Sequence, residues 1–216
     1  MNTSRLKLLG FFGAIILLSP TLSYSAQTNS TCDPSRIRIE QATSLEQKSA
    51  CVAIRQLEDF FLKMAAPVTL DVTLKFENEV FLPLASTGGE KTRVYGYFDS
   101  DKFEVVQSHF RSAYQVGRRS PWSLKWSDAL AHSFLLHELS HLAVMKYLKS
   151  IGRSERQVAP EWHEAIAYTI QFLLMDSRLR NQIFEKNQQT VADHIKEPAR
   201  LASSNYREDP AFAMRC

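Results

Sequence analysis

The chain has 216 residues, with 26 Lys+Arg against 23 Asp+Glu and a formal net charge of +3. That surplus is too weak to argue for a nucleic-acid surface, and no basic run is longer than Arg118-Arg119. With 44% hydrophobic and 23% charged residues, seven Gly and eight Pro, the composition is that of a globular domain and excludes disordered, collagen-like and low-complexity architectures.

The first 25 residues read as a targeting segment. Arg5 and Lys7 open it, Leu8 to Leu18 is an apolar run, Ser19-Pro20 breaks the run, and the small residues Ser23, Ser25 and Ala26 follow. This is the order of a secretory signal peptide, with cleavage expected after Ser25. A spanning helix needs ~20 apolar residues, so no stable membrane span is expected after cleavage; an uncleaved N-terminal anchor is the alternative. The absence of a twin Arg, and of a Cys just after the run, argues against Tat export and a lipidated cysteine. Residues 26 to 216 then form one exported domain, periplasmic or secreted. Export permits disulfides. Of Cys32, Cys51 and Cys216, the pair Cys32–Cys51 is favoured, because so short a loop closes easily and would pin the N-terminal tail to the first helix.

Residues 26 to 43 are polar and read as an irregular lead-in. Leu45 to Met64 carries Val52, Ile54, Leu57, Phe60 and Phe61 at helical spacing and stops at Ala-Ala-Pro67. Val68 to Phe76 alternates apolar and polar residues, the pattern of a half-buried strand; Phe81-Leu82 is a second, short strand and Ser86 to Lys91 a turn. Arg93 to Phe98 and Phe103 to Val106 flank Asp99-Ser100-Asp101 as a β-hairpin, and Gly117 to Trp126 is a basic, aromatic loop. A long helix is expected from the N-cap Ser127 to about Ser150, with Gly152 as its stop signal. A second begins near Pro160 and runs through Met175, and helix continues beyond Asp176 to about Asn187. From about residue 188 the chain is polar. Strands early and helices late give one α+β domain: a small mixed sheet or hairpin packed on the long helix and its successor.

The long helix carries His137-Glu138-Leu139-Ser140-His141, an H-E-x-x-H motif. Four residues make about one turn, so both imidazoles leave one face and can converge on one ion, with Glu138 beside them and able to reach a metal-bound water. Zinc suits neutral imidazole. Leu130, Phe134, Val144 and Leu148 share the histidine stripe, and Leu135, Leu136, Leu139, Leu142 and Ala143 flank it, so the helix is buried nearly all round. Two histidines on a dry face need partners. A catalytic zinc also needs a third protein ligand and an open position. The metzincin pattern is excluded by Val144 and Tyr147, which stand where it requires Gly and His. On the second helix, Glu161, Glu164, Tyr168 and Gln171 form a thin polar stripe on an otherwise apolar rod, as expected if the stripe faces a polar site. Either Glu161 or Glu164 can supply the third ligand.

His137 to His141, followed by an acidic residue on the next helix, resembles the gluzincin metallopeptidases, the thermolysin-like class. His163-Glu164-Ala165-Ile166-Ala167 is similar to the segment bearing the third ligand in that class. The resemblance covers about residues 127 to 175 and implies that His137, His141 and Glu164 bind Zn2+ and that Glu138 is the general base. It also suggests that the preceding hairpin supplies a substrate-aligning edge strand. The chain departs from the class in several places. Tyr168 stands where a supporting Asp belongs, 22 residues separate His141 from Glu164, no Gly-x-Met-Glu-Asn segment is present, and only 75 residues follow His141. The expectation is therefore a minimal exported zinc metallopeptidase acting on a peptide or protein substrate. Tyr168 is the first candidate for an oxyanion donor, with Tyr206 and His194 behind it, and His109, His132 and His163 read as ordinary polar residues. The rival from another class is a zinc-stabilised binding module without turnover, closed by a fourth ligand such as His163 or Glu161. A third reading is a zymogen whose loop Arg118 to Trp126 covers the site.

Overall fold

The computed structural model describes residues 32–82, 92–112, 122, 124–154 and 157–196, the last nine by backbone alone. The expected signal peptide, the turn at 86–91, most of the basic loop, Cys216 and Tyr206 lie outside the described residues, as does the side chain of His194. Ten elements follow in order: β1 (Ile37–Glu40), α1 (Ser44–Lys63), β2 (Val72–Glu77), β3 (Val80–Phe81), β4 (Arg93–Val94), β5 (Gly96–Asp99), β6 (Glu104–Ser108), α2 (Asp128–Ser150), α3 (Pro160–Leu174) and α4 (Ser177–Lys196). The fold is α+β. Among the described residues, no helix is long and apolar enough to cross a membrane.

The main sheet has the order β1-β2-β6-β5. β1, β2 and β6 run parallel, and β5 returns antiparallel along β6 at the edge. β3 and β4 form a separate two-stranded ribbon. β1 is the first departure from the sequence reading, which took residues 26 to 43 as irregular. In it Ile37 is buried and Ile39 packs on the core, alternating with Arg38 and Glu40, and the strand pairs in register with Val72 to Lys75. α1 is the crossover that two parallel neighbours require.

α1 begins with a capping box. Thr43 Oγ1 accepts from Glu46 N at 3.3 Å, and Glu46 Oε2 accepts from Thr43 N at 2.8 Å. Glu46 is itself buried and also takes the Phe110 N–H at 2.7 Å and lies 3.1 Å from His109 Nδ1, so one carboxylate ties the start of α1 to the segment after β6. His109 is therefore a structural partner rather than an ordinary polar residue. A Cys32–Cys51 disulfide fastens the segment before β1 to α1.

Ala50, Ala53, Ile54, Leu57 and Phe61 of α1 share one core with Leu74, Phe76 and Val105 of the sheet and with Leu130, Leu135, Leu139 and Leu142 of α2. α2 starts at the N-cap Ser127, whose Oγ accepts from Leu130 N at 3.2 Å. It ends where Gly152, at φ 70°, lets Arg153 N reach Leu148 O at 2.8 Å and Gly152 N reach Lys149 O at 3.1 Å. α3 has no side-chain cap and begins instead with Pro160, whose missing N–H costs nothing there. α4 runs to Lys196, farther than the sequence pattern indicated.

Candidate metal centre

α2 is buried on almost every side, and α3 packs across it. Between them His137 Nε2 and His141 Nε2 stand 3.2 Å apart. Glu164 reaches both: its Oε2 is 3.3 Å from His137 Nε2 and its Oε1 3.5 Å from His141 Nε2. These three side chains form a group that can hold a metal ion. Each offers one donor atom, and the two helices, not loops, fix them. Glu161 is exposed on the first turn of α3 and takes no part in the group.

Two imidazole nitrogens at 3.2 Å need either a proton or a metal ion between them, since two bare lone pairs repel. The protein's own charges express the same demand. Burial opposes charge on His137, but its bond to Glu164 and the nearby Glu138 carboxylate outweigh it and hold the ring above the usual histidine range. Burial, and then the charge of His137, push His141 down to about 4, which keeps it neutral. For Glu164, burial favours the neutral acid, but His137, His141 and His163 overcome it and keep the group ionised.

Glu138 stands outside the ligand group, half-buried against β5. Burial raises it to about 7, opposed by His137 and by a hydrogen bond from the Phe98 backbone N–H. That bond follows from the sheet. Tyr95 O accepts from Ser108 N at 2.7 Å, so Tyr95, Tyr97 and Asp99 bond inward to β6 while Gly96 and Phe98 present their polar groups outward. The approach is tight enough to favour glycine. A Cβ at Gly96 would lie 2.8 Å from Gln107 Oε1, 3.0 Å from Val106 O and 3.2 Å from Glu138 Cγ.

Tyr168 lies on the site side of α3, its ring centroid 4.3 Å from that of His137. Burial and the Glu164 and Glu138 charges raise its hydroxyl, which stays a donor. One turn before His137, the Phe134 ring stacks with Tyr95 at 4.9 Å, Trp122 at 5.4 Å and Trp126 at 5.9 Å. This aromatic stack braces the start of β5 against α2.

Two sequence expectations change here. α3 is not an otherwise buried rod: Trp162, Ala165 and Thr169 are exposed, and the Glu164 side chain is 51% exposed, because the first turns dock by one side only. His132 is not an ordinary polar residue but a bridge from α2 to Ser49 and Gln56 of α1. Gln171 and Gln107, both 0% exposed, acquire positions that sequence reasoning missed, although Gln171 already shared the Glu164 stripe. Gly96, a glycine inside a strand, was the available sign of a close approach.

A scan against protein families matches residues 37–204 to one described as "Family of unknown function (DUF6639)". The chain belongs to this family. The DUF6639 match takes in His137, Glu138, His141, Glu164 and Tyr168 alike. Neither a search of curated proteins nor a search of solved structures found a match.

Proposed function

We propose that the chain is an exported zinc-dependent metallopeptidase. The observation that carries this reading is the convergence of the three donors, one atom from each side chain and all within 4.8 Å of one another, with Glu138 beside them. Four ligands around zinc at ~2.0–2.1 Å stand ~3.3 Å from one another, close to the 3.2 Å between the two imidazole nitrogens and the 3.3 and 3.5 Å from each of them to its nearer Glu164 oxygen. Two imidazoles and one carboxylate are also a donor set typical of catalytic zinc. The exposure of Glu164 supports an open fourth position, which a closed structural site would not leave.

Zinc bound there would polarise the substrate carbonyl and lower the pKa of an attacking water. Glu138 accepts the proton of that water and returns it to the leaving amine. A carboxyl group near 7 suits both halves of that exchange at neutral pH. Tyr168, protonated and packed on His137, donates to the oxygen that gains charge as the carbonyl is attacked. An extended peptide can align along β5 through the outward backbone groups of Gly96 and the outward carbonyl of Phe98, as edge strands take up peptides elsewhere. The Cys32–Cys51 disulfide supports an oxidising, extracytoplasmic destination.

Glu138→Gln tests the proposal, because it keeps the shape of the side chain but cannot take the proton. Zinc content and melting temperature should stay near wild type, while cleavage of a peptide library falls ~10²-fold or more. A variant as active as the wild type would refute the mechanism. A zinc-loaded wild type that cuts no peptide would leave a binding module.

A further inference from the structure

His137 has two ring nitrogens, and the candidate centre uses one. Nε2 faces Glu164 and His141, at 3.3 and 3.2 Å. Nδ1 points the other way, is shielded from solvent, and makes no well-formed hydrogen bond. On α3, Gln171 is 0% exposed and its Oε1 is likewise buried and unbonded.

The other end of the amide fixes which atom it offers. Gln171 Nε2 lies 3.3 Å from Ser133 Oγ, and that hydroxyl donates its only proton to Leu130 O at 2.8 Å. Ser133 Oγ can therefore only accept. The amide must turn its NH2 toward Ser133, and its oxygen toward the histidine. The Ser133–Gln171 and His137–Tyr168 contacts set both side chains in the same seam between α2 and α3, where a buried ring nitrogen and a buried amide oxygen each lack a partner.

We propose that Gln171 is a positioning residue of the metal centre: its Oε1 accepts the Nδ1–H of His137 and locks the ring in the tautomer whose Nε2 lone pair faces His141 and Glu164. Ser133 holds the amide in that sense, so the relay Leu130–Ser133–Gln171–His137 is built into the contact between α2 and α3. It gives His137 the support a metal-ligating histidine needs, from an amide, while the position one turn after Glu164 is occupied by Tyr168. This inference rests on the zinc reading, and its test separates the two.

The full chain labelled with 15N-histidine reports the His137 tautomer and the exchange of its Nδ1–H, and competition with a chromophoric chelator reports zinc affinity. Wild type should show a slowly exchanging Nδ1–H on His137. Gln171→Met, similar in size but without an acceptor, should lose that protection and bind zinc 10–100-fold more weakly. Gln171→Glu, which keeps an acceptor, should restore both. A Gln171→Met protein with wild-type zinc affinity and an unchanged Nδ1–H would overturn the proposal. Should Gln171→Met fail to fold, Ser133→Ala takes its place: it frees the amide to turn and should give mixed His137 tautomers, whereas an unchanged spectrum would again overturn the proposal. If wild type bound no zinc, the metal reading would fall, yet the loss or retention of Nδ1–H protection would still decide the role of Gln171.

Discussion

His132 makes the stability of this protein sensitive to mild acid. Ser49 Oγ–H donates to its Nδ1 at 2.6 Å, and its Nε2–H donates to Gln56 Oε1 at 3.0 Å. Only the neutral ring serves both partners. Burial accordingly pulls the folded-state pKa from 6.5 to about 4. A folded pKa below the unfolded one means that the unfolded chain takes up the proton first. The contribution is complete above pH ~6.5 and is lost as pH falls from there toward 4. Between pH 7 and pH 5 the linkage integral for this one group is about 2 kcal/mol. Urea unfolding of the wild type and of His132→Gln at both pH values isolates it, since other acid-sensitive groups such as Glu46 and His141 are common to both proteins. The wild type should lose about 2 kcal/mol more than the variant on acidification. Equal losses would refute the assignment of His132 as a neutral bridge.

Two further perturbations test the frame around the site. Gly96→Ala places a methyl group against Val106 O and Glu138 Cγ, at 3.0 and 3.2 Å, and should destabilise the protein by about 1–3 kcal/mol in denaturant melts while lowering peptidase activity more than zinc content. An unchanged melt and unchanged activity would contradict the close approach of β5 to α2. Replacing Cys32 and Cys51 together by Ser removes a link across 19 positions and should cost about 3 kcal/mol, measured by the same melts with zinc saturating; no loss would show that the link does not constrain the unfolded chain.

The parts legible in the sequence were those with local signals. Ser127, Gly152 and Pro160 marked helix ends through chemistry that acts within a turn, and the His137–His141 spacing announced a shared face by itself. Cys32 and Cys51 were legible as a pair for the same reason. What escaped was non-local. β1 is four residues long, too short for its Ile-Arg-Ile-Glu alternation to stand out, and its parallel pairing with β2 depends on a crossover no local pattern encodes. Glu46 carries no local sign of its long-range role, yet its carboxylate meets Phe110 N across 64 positions. His132 meets Ser49 across 83. Gln171 lay on the right stripe, but only the meeting of α2 and α3 gives its amide a direction.

Metal analysis of purified protein tests the central claim most directly. Wild type, Glu164→Gln and Glu161→Gln are each equilibrated with zinc, freed of excess metal and measured by mass spectrometry alongside protein concentration. The account predicts one tightly held zinc per chain in the wild type and in Glu161→Gln, and its loss in Glu164→Gln. Zinc retained by Glu164→Gln but lost from Glu161→Gln, or no zinc in the wild type, would contradict it.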